Sequence, residues 1–360
     1  MTAHARYRKL VALAVGAIVA PLLVVATTTA PAEARSWKHK HDVTMYKIER
    51  DIRLAGGGDH SPSGQVTSTS LSCRGSDSVL DGMWKVSSVD QYNPDPVDPD
   101  DDEDFPGSYT GGAYNDARDV FVHHSYASSS NSWAFKFENL AYGDAQLKAY
   151  ITCIEAKTER NGHAHRIKTT DTSWSDAAAP DQAVGLGGGY HASLTCSPTQ
   201  FFVAPGFKIN SGTTRLAASH PLENGRSWRW IFNSTTAADV DFYGKCIDRK
   251  VAAANGFGSH HQHAIKMRHL PLASEGANTK SISSGSPQDV QFSCDEKSAS
   301  RSGHKAMVGA FYLHHPHTTW FLGMEPRPKT RVFRFFNSGG TSKVDLGILC
   351  VNSRTGNPLR

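Results

Sequence analysis

The sequence predicts an all-β protein made of three tandem, homologous, disulfide-stapled modules of sandwich or Greek-key type, open to a pseudo-threefold arrangement. Three observations carry that prediction. Short runs of alternating apolar and polar residues are separated by turn-formers along most of the chain. Six cysteines fall into three frames of similar content, an internal repeat. A His-x-His triplet stands at a nearly constant distance ahead of each frame.

Residues 1–34 are set apart from these modules. Arg6, Arg8 and Lys9 form a basic start, Leu10 to Ala26 is an apolar run broken by Pro21, and Ala32-Glu33-Ala34 offers small residues to a signal peptidase. The apolar run is short for a bilayer span. The expectation is a cleaved export signal and a secreted, extracellular protein starting near Arg35. Loss of three basic residues and one acid lowers the formal charge from +4 to +2. So small a charge gives no electrostatic case for nucleic acid or an anionic membrane as partner. No other apolar stretch is long enough for a membrane span in the mature chain.

The first module, residues 35–158, reads SLSC, VLDGMWKV, DVFVHHS, SWAFKFEN and LKAYITCI between Cys73 and Cys153. The second, 159–251, reads SLTC, FFVAPGFKI, RLAASHP, SWRWIFN and VDFYGKCI between Cys196 and Cys246. The third, 252–360, reads QFSC, KAMVGAFYL, TTWFLGM, RVFRFFN and VDLGILCV between Cys294 and Cys350. Each second run holds a glycine (Gly82, Gly206, Gly309), and each aromatic run ends on an asparagine (Asn139, Asn233, Asn337). Trp133, Phe135 and Phe137, Trp228, Trp230 and Phe232, and Phe333 and Phe335 are the expected core. Their register against the closing cysteine shifts by one in the third copy, which suggests a bulge there.

The frames pair the cysteines as Cys73–Cys153, Cys196–Cys246 and Cys294–Cys350, as an exported chain with an even number of cysteines allows. Each bond closes a loop of 50 to 80 residues, worth about 3–4.5 kcal/mol in the chain-entropy picture. Residues 93–112 form an insertion in the first module, too rich in proline and acid for a central strand. Asp98, Asp100, Asp102 and Asp104 within it are candidate calcium ligands, but the EF-hand spacing is absent and a solvated acidic loop is the stronger reading.

The triplets are His39-Lys40-His41, His163-Ala164-His165 and His261-Gln262-His263. Their last histidines precede the opening cysteine by 32, 31 and 31 residues. On a strand, residues i and i+2 share a face, so each triplet offers two imidazoles side by side. His39, His41, His163, His165, His261 and His263 are therefore candidate ligands for a transition metal, which imidazole suits. The triplets resemble those of trimeric phage tail fibres and spikes, where three chains hold iron; here one chain would supply all three. Against this stands a simpler reading, three homologous edge strands whose histidines face solvent or support turns.

No G-x-S-x-G, H-E-x-x-H or phosphate-binding glycine loop occurs, and the frames use every cysteine. The chain is expected not to be an enzyme, with a hydrolase as a remote alternative. In the second module the pattern Val203-x-x-Gly206-Phe207, Ser219-x-Pro221, Trp228-x-Trp230-x-x-Asn233 and Tyr243-x-x-Cys246-Ile247 resembles cysteine-framed β-repeats of secreted bacterial proteins. The resemblance implies export and β-structure. The leading functional expectation is a non-catalytic binding or structural protein at the cell surface or outside the cell, with an envelope or carbohydrate ligand and no certain cofactor. The alternative is a metal-binding protein organised on the three His-x-His strands.

Overall fold

The computed structural model describes residues 40–56, 65–89, 117–141, 143–160, 163–175, 189–222, 225–234, 238–253, 262–270, 272, 278–295, 303–356 and 358–359. Residues 1–34, expected to be an export signal, the acidic insertion with its candidate calcium ligands, His39 and His261 lie outside them. Residues 38–360 form one unit, and its regular structure is antiparallel β-sheet. Among the described residues no helix is long and apolar enough to cross a membrane.

In chain order the first cysteine frame and its lead-in give β1 (Met45–Leu54), β2 (Val66–Ser72), β3 (Ser78–Val89), β4 (Val120–Ala127), β5 (Ser132–Asn139) and β6 (Ala145–Ile154). A hairpin follows, β7 (Lys157–Arg160) and β8 (His163–Arg166). The second frame gives β9 (Thr169–Ser175), β10 (Gly189–Thr195), β11 (Gln200–Ser211), β12 (Thr214–Leu222), β13 (Ser227–Ser234) and β14 (Asp239–Asp248). Next come β15 (Lys250–Ala253) and β16 (Gln262–Ala264), then β17 (Met267–Leu270), β18 (Thr279–Ile282), β19 (Gln288–Ser293) and β20 (His304–Leu313). The chain finishes with β21 (Thr319–Pro326), β22 (Thr330–Asn337), β23 (Ser342–Asn352) and β24 (Pro358–Leu359).

No frame completes a large sheet alone. The orders are β1-β6-β3-β21-β22-β19, then β2-β5-β4-β11-β14-β9, then β10-β13-β12-β20-β23-β17 with β18 also on β23. Each sheet takes one half from one frame and one half from another, and the exchange runs first to second, second to third, third to first. The sequence boundaries 158/159 and 251/252 fall inside β7 and β15, because those strands carry the chain straight from a closing strand into pairing with a histidine strand.

The disulfides are the three expected ones, with Cα–Cα distances of 5.8, 5.7 and 6.0 Å, within the usual span. Cys73, Cys196 and Cys294 lie just past β2, β10 and β19, while their partners sit in β6, β14 and β23. Each bond therefore joins two different sheets. The expected aromatic core residues are all buried. Bulges lie in the third frame, between Phe321 and Gly323 and between Ala306 and Val308, and equally in the first and second, between Val122 and His124 and between Leu216 and Ala218. In β5 and β22 the inward residues end on Asn139 and Asn337, each donating from Nδ2 to backbone carbonyls, Leu54 O and Gly143 O for the first, Ile282 O for the second. In β13 the inward residue is Ser234, and Asn233 turns outward to Pro316 O. It is the second copy whose asparagine leaves the pattern.

Where two frames meet, the backbones approach closely. Gly323 of β21 pairs with Lys85 of β3 at φ +116°, and a Cβ there would lie 2.0 Å from Trp84 O. Gly323→Ala adds a backbone clash to the strain of that φ, and is expected to destabilise by at least about 1–3 kcal/mol. Gly285 also has a positive φ but an open surrounding, so Gly285→Ala should lose less. The two denaturant midpoints, compared at unchanged m, check this.

Candidate metal centre

The last histidine of each triplet is fully enclosed. His41, His165 and His263 are 2%, 0% and 0% exposed, which removes the reading of solvent-facing edge histidines for these three. His165 lies in β8 and His263 in β16, while His41 precedes β1 beside the isolated bridge Asp42–Arg354. Two residues on from each stands a buried aliphatic residue, Val43, Ile167 and Ile265. These three aliphatic residues belong to the hydrophobic core cluster, so each histidine is followed at once by chain anchored in the core.

The three rings meet edge to face. Their centroids are 4.3 Å (His41–His165), 4.7 Å (His165–His263) and 4.8 Å (His41–His263) apart. One nitrogen from each lies within 4.8 Å of the others, and Nε2 of His41 is 3.1 Å from Nε2 of His165. Among the described residues this is the one group of three or more potential metal ligands. His163 is the first residue of β8.

The backing of the cluster follows one scheme. Each histidine strand is paired with the short stretch that leaves a closing strand: Thr158 opposite His165, Val251 opposite His263. Thr355 serves His41, accepting from His41 N at 2.9 Å and donating its own N–H to His41 O at 2.8 Å. Thr158 Oγ1 likewise accepts from His165 N at 3.2 Å. His263 Nδ1 is 2.9 Å from Gly356 O. A carbonyl can only accept, so Nδ1 carries the proton and Nε2 presents its lone pair.

A lone pair on Nε2, set by a hydrogen bond at Nδ1, is the usual state of a metal-ligating histidine. Metal–nitrogen bonds of 2.0–2.1 Å in a tetrahedral set put neighbouring nitrogens about 3.3 Å apart, close to the His41–His165 separation. The donor set fits zinc, copper, nickel or iron, and holds no carboxylate or thiolate. Without a metal, the short His41–His165 contact is an N–H···N hydrogen bond.

Among the described residues no other histidine joins this cluster. His123 pairs with Glu138 (2.6 Å) and His314 with Asp345 (3.0 Å). Burial holds the imidazoles of His124 and His269 down to about 4. Sequence reasoning passed over two further features. One is a buried ion pair, Asp81 with Arg331, whose signal was an Asp inside the run VLDGMW and an Arg where the other frames have Trp. The other is an open cavity of about 40 Å³ at the starts of β4, β12 and β21. There Arg215 lies over Phe121 (4.0 Å) and Arg118 over Trp320 (5.5 Å).

These features define a class: a disulfide-stapled all-β protein with a buried three-histidine cluster where its histidine strands meet. No protein-family model matches the chain, and no curated protein matches it.

Proposed function

We propose that this is an exported, non-catalytic structural protein organised on one transition metal held by His41, His165 and His263. On this reading the three cysteine frames are copies of one module, disposed about a pseudo-threefold axis that passes through the metal. The observation that carries it is the convergence of three buried imidazoles from strands 98 to 222 residues apart. Burying three polar rings together is costly unless their nitrogens are satisfied, and one metal would take a nitrogen from each. Residues 1–34 act as the export signal, and the three disulfides are compatible with an extracellular setting.

Metal analysis of protein secreted without an affinity tag tests this. About one metal per chain is expected, resistant to dialysis and lost in His165→Ala with His263→Ala. Metal content that is absent or unchanged by those substitutions overturns the reading.

A second reading keeps the surface-binding role with an envelope or carbohydrate ligand. The cavity framed by Phe121, Trp320, Arg215 and Asn233 favours it, since aromatic faces and an amide are what a sugar ring meets. Pull-downs on glycan and peptidoglycan resins that stay blank count against it.

A further inference from the structure

We infer that the metal is a latch: its binding is coupled to docking of the C-terminal segment on the N-terminal histidine, so that occupancy decides whether the chain is closed. The inference rests on the metal reading proposed above and adds to it a conformational consequence.

The argument begins with an asymmetry among the three backing contacts. Thr158 and His165 are seven residues apart and joined by a hairpin. Val251 and His263 are twelve apart. His41 and Thr355 are separated by 314 residues. The first two histidines are carried to the cluster with their backing strand attached; the third must be brought there by contacts alone.

The contacts between the two ends gather at residues 41–43 and 353–355, where Val43 and Thr355 are buried. Val43 N donates to Ser353 O (2.8 Å), His41 N to Thr355 Oγ1 (2.9 Å) and Thr355 N to His41 O (2.8 Å). Arg354 and Asp42 pair at 3.2 Å, but both are well exposed, and such pairs add little. Each hydrogen bond contributes modestly on balance. The segment also reaches the third ligand strand: Gly356 N donates to Ala264 O (2.7 Å) and Gly356 O accepts from His263 Nδ1 (2.9 Å). One stretch, Ser353 to Gly356, thus backs His41 and orients His263. A metal on those imidazoles holds both strands against that stretch, and the stretch in turn holds the imidazoles for the metal. Linkage makes the two effects equal.

Opening is limited by the neighbouring disulfide. Cys350, three residues before Ser353, is bonded to Cys294, so β23 stays in its sheet when the segment lifts. The apo state is a protein with its three large sheets intact and its two described ends undone.

Hydrogen exchange on the tag-free full chain, with zinc as probe and a chelator as its removal, reads this directly. The amides of Val43, Thr355 and Gly356 should exchange at least tenfold faster after chelation, while those of β6 and β14 keep their protection. Zinc bound one to one, as seen by native mass spectrometry, with no change at those three amides overturns the latch and leaves the metal site standing. Failure of zinc, copper, nickel and iron alike to bind overturns both. Thr355→Val, which keeps all three imidazoles, should weaken zinc at least fivefold by reciprocity, and Thr158→Val, backed by its hairpin, should weaken it less. Equal losses in the two variants, or none in Thr355→Val, also overturn the latch.

Discussion

Arg331→Met should cost about 3–5 kcal/mol, and Asp81→Val added to it should return most of that loss. The inward first position of the aromatic strand holds Trp133 in β5 and Trp228 in β13, whose indole N–H groups donate to Ser125 Oγ (3.1 Å) and Ser219 Oγ (2.8 Å). In β22 the same position holds Arg331, 1% exposed. Its guanidinium donates to Met307 O (2.5 Å) and Thr152 Oγ1 (3.3 Å), and lies 3.8 Å from Asp81, itself 2% exposed. Removing the arginine alone leaves a carboxylate in an apolar interior with only the backbone N–H groups of Gly82 and Gly309 to receive. Removing both leaves an apolar contact, as in the other frames, where Pro205 and Val308 stand at the place of Asp81 ahead of the glycine. Denaturant unfolding of the wild type, the single and the double variant at pH 9, above the folded value of Asp81 near 7, checks it. A single variant as stable as the wild type would show that the carboxylate is not charged in the fold.

Much of this architecture was legible in the sequence because it is written in local patterns. Alternation in SWAFKFEN or SWRWIFN states which residues face inward, and the cysteine frames state which strands are stapled. The exchange of half-sheets was not legible. Pairings such as Phe207 with Ser125 or Ala218 with Tyr312 join edges whose residues satisfy any antiparallel neighbour, so no pattern names the partner. The histidine cluster was half legible. Spacing marked the triplets as repeated, yet only the aliphatic residues at Val43, Ile167 and Ile265 distinguished a buried face from an exposed one. The Asn233 register was missed because Asn233 and Ser234 are adjacent polar residues, and the choice between them is made by Pro316 across the neighbouring loop.

Stability should also depend on pH through Asp81, with a sign opposite to that of most buried carboxylates in ion pairs. Burial pushes its carboxyl up to about 7, and the attraction of Arg331 and the N–H groups of Gly309 and Gly82 only partly oppose this. In the unfolded chain an aspartate titrates near 3.9. The folded pKa is the higher one, so the stabilising contribution is fully present below about 4 and is lost as pH rises through about 7. Between pH 8 and pH 4.5 the gain on acidification is about 3 kcal/mol. His124 and His269 work the other way. Burial holds both at about 4, below the unfolded value near 6.5, so their contribution is present above that value and is lost as pH falls through about 4. The wild type alone therefore reports a sum of opposing slopes. The Asp81→Val, Arg331→Met variant keeps both histidines and lacks the aspartate, so subtracting its unfolding free energy from that of the wild type isolates Asp81. That difference should move in favour of the wild type by about 3 kcal/mol from pH 8 to pH 4.5, and a flat difference would mean an Asp81 of ordinary acidity, well paired with Arg331.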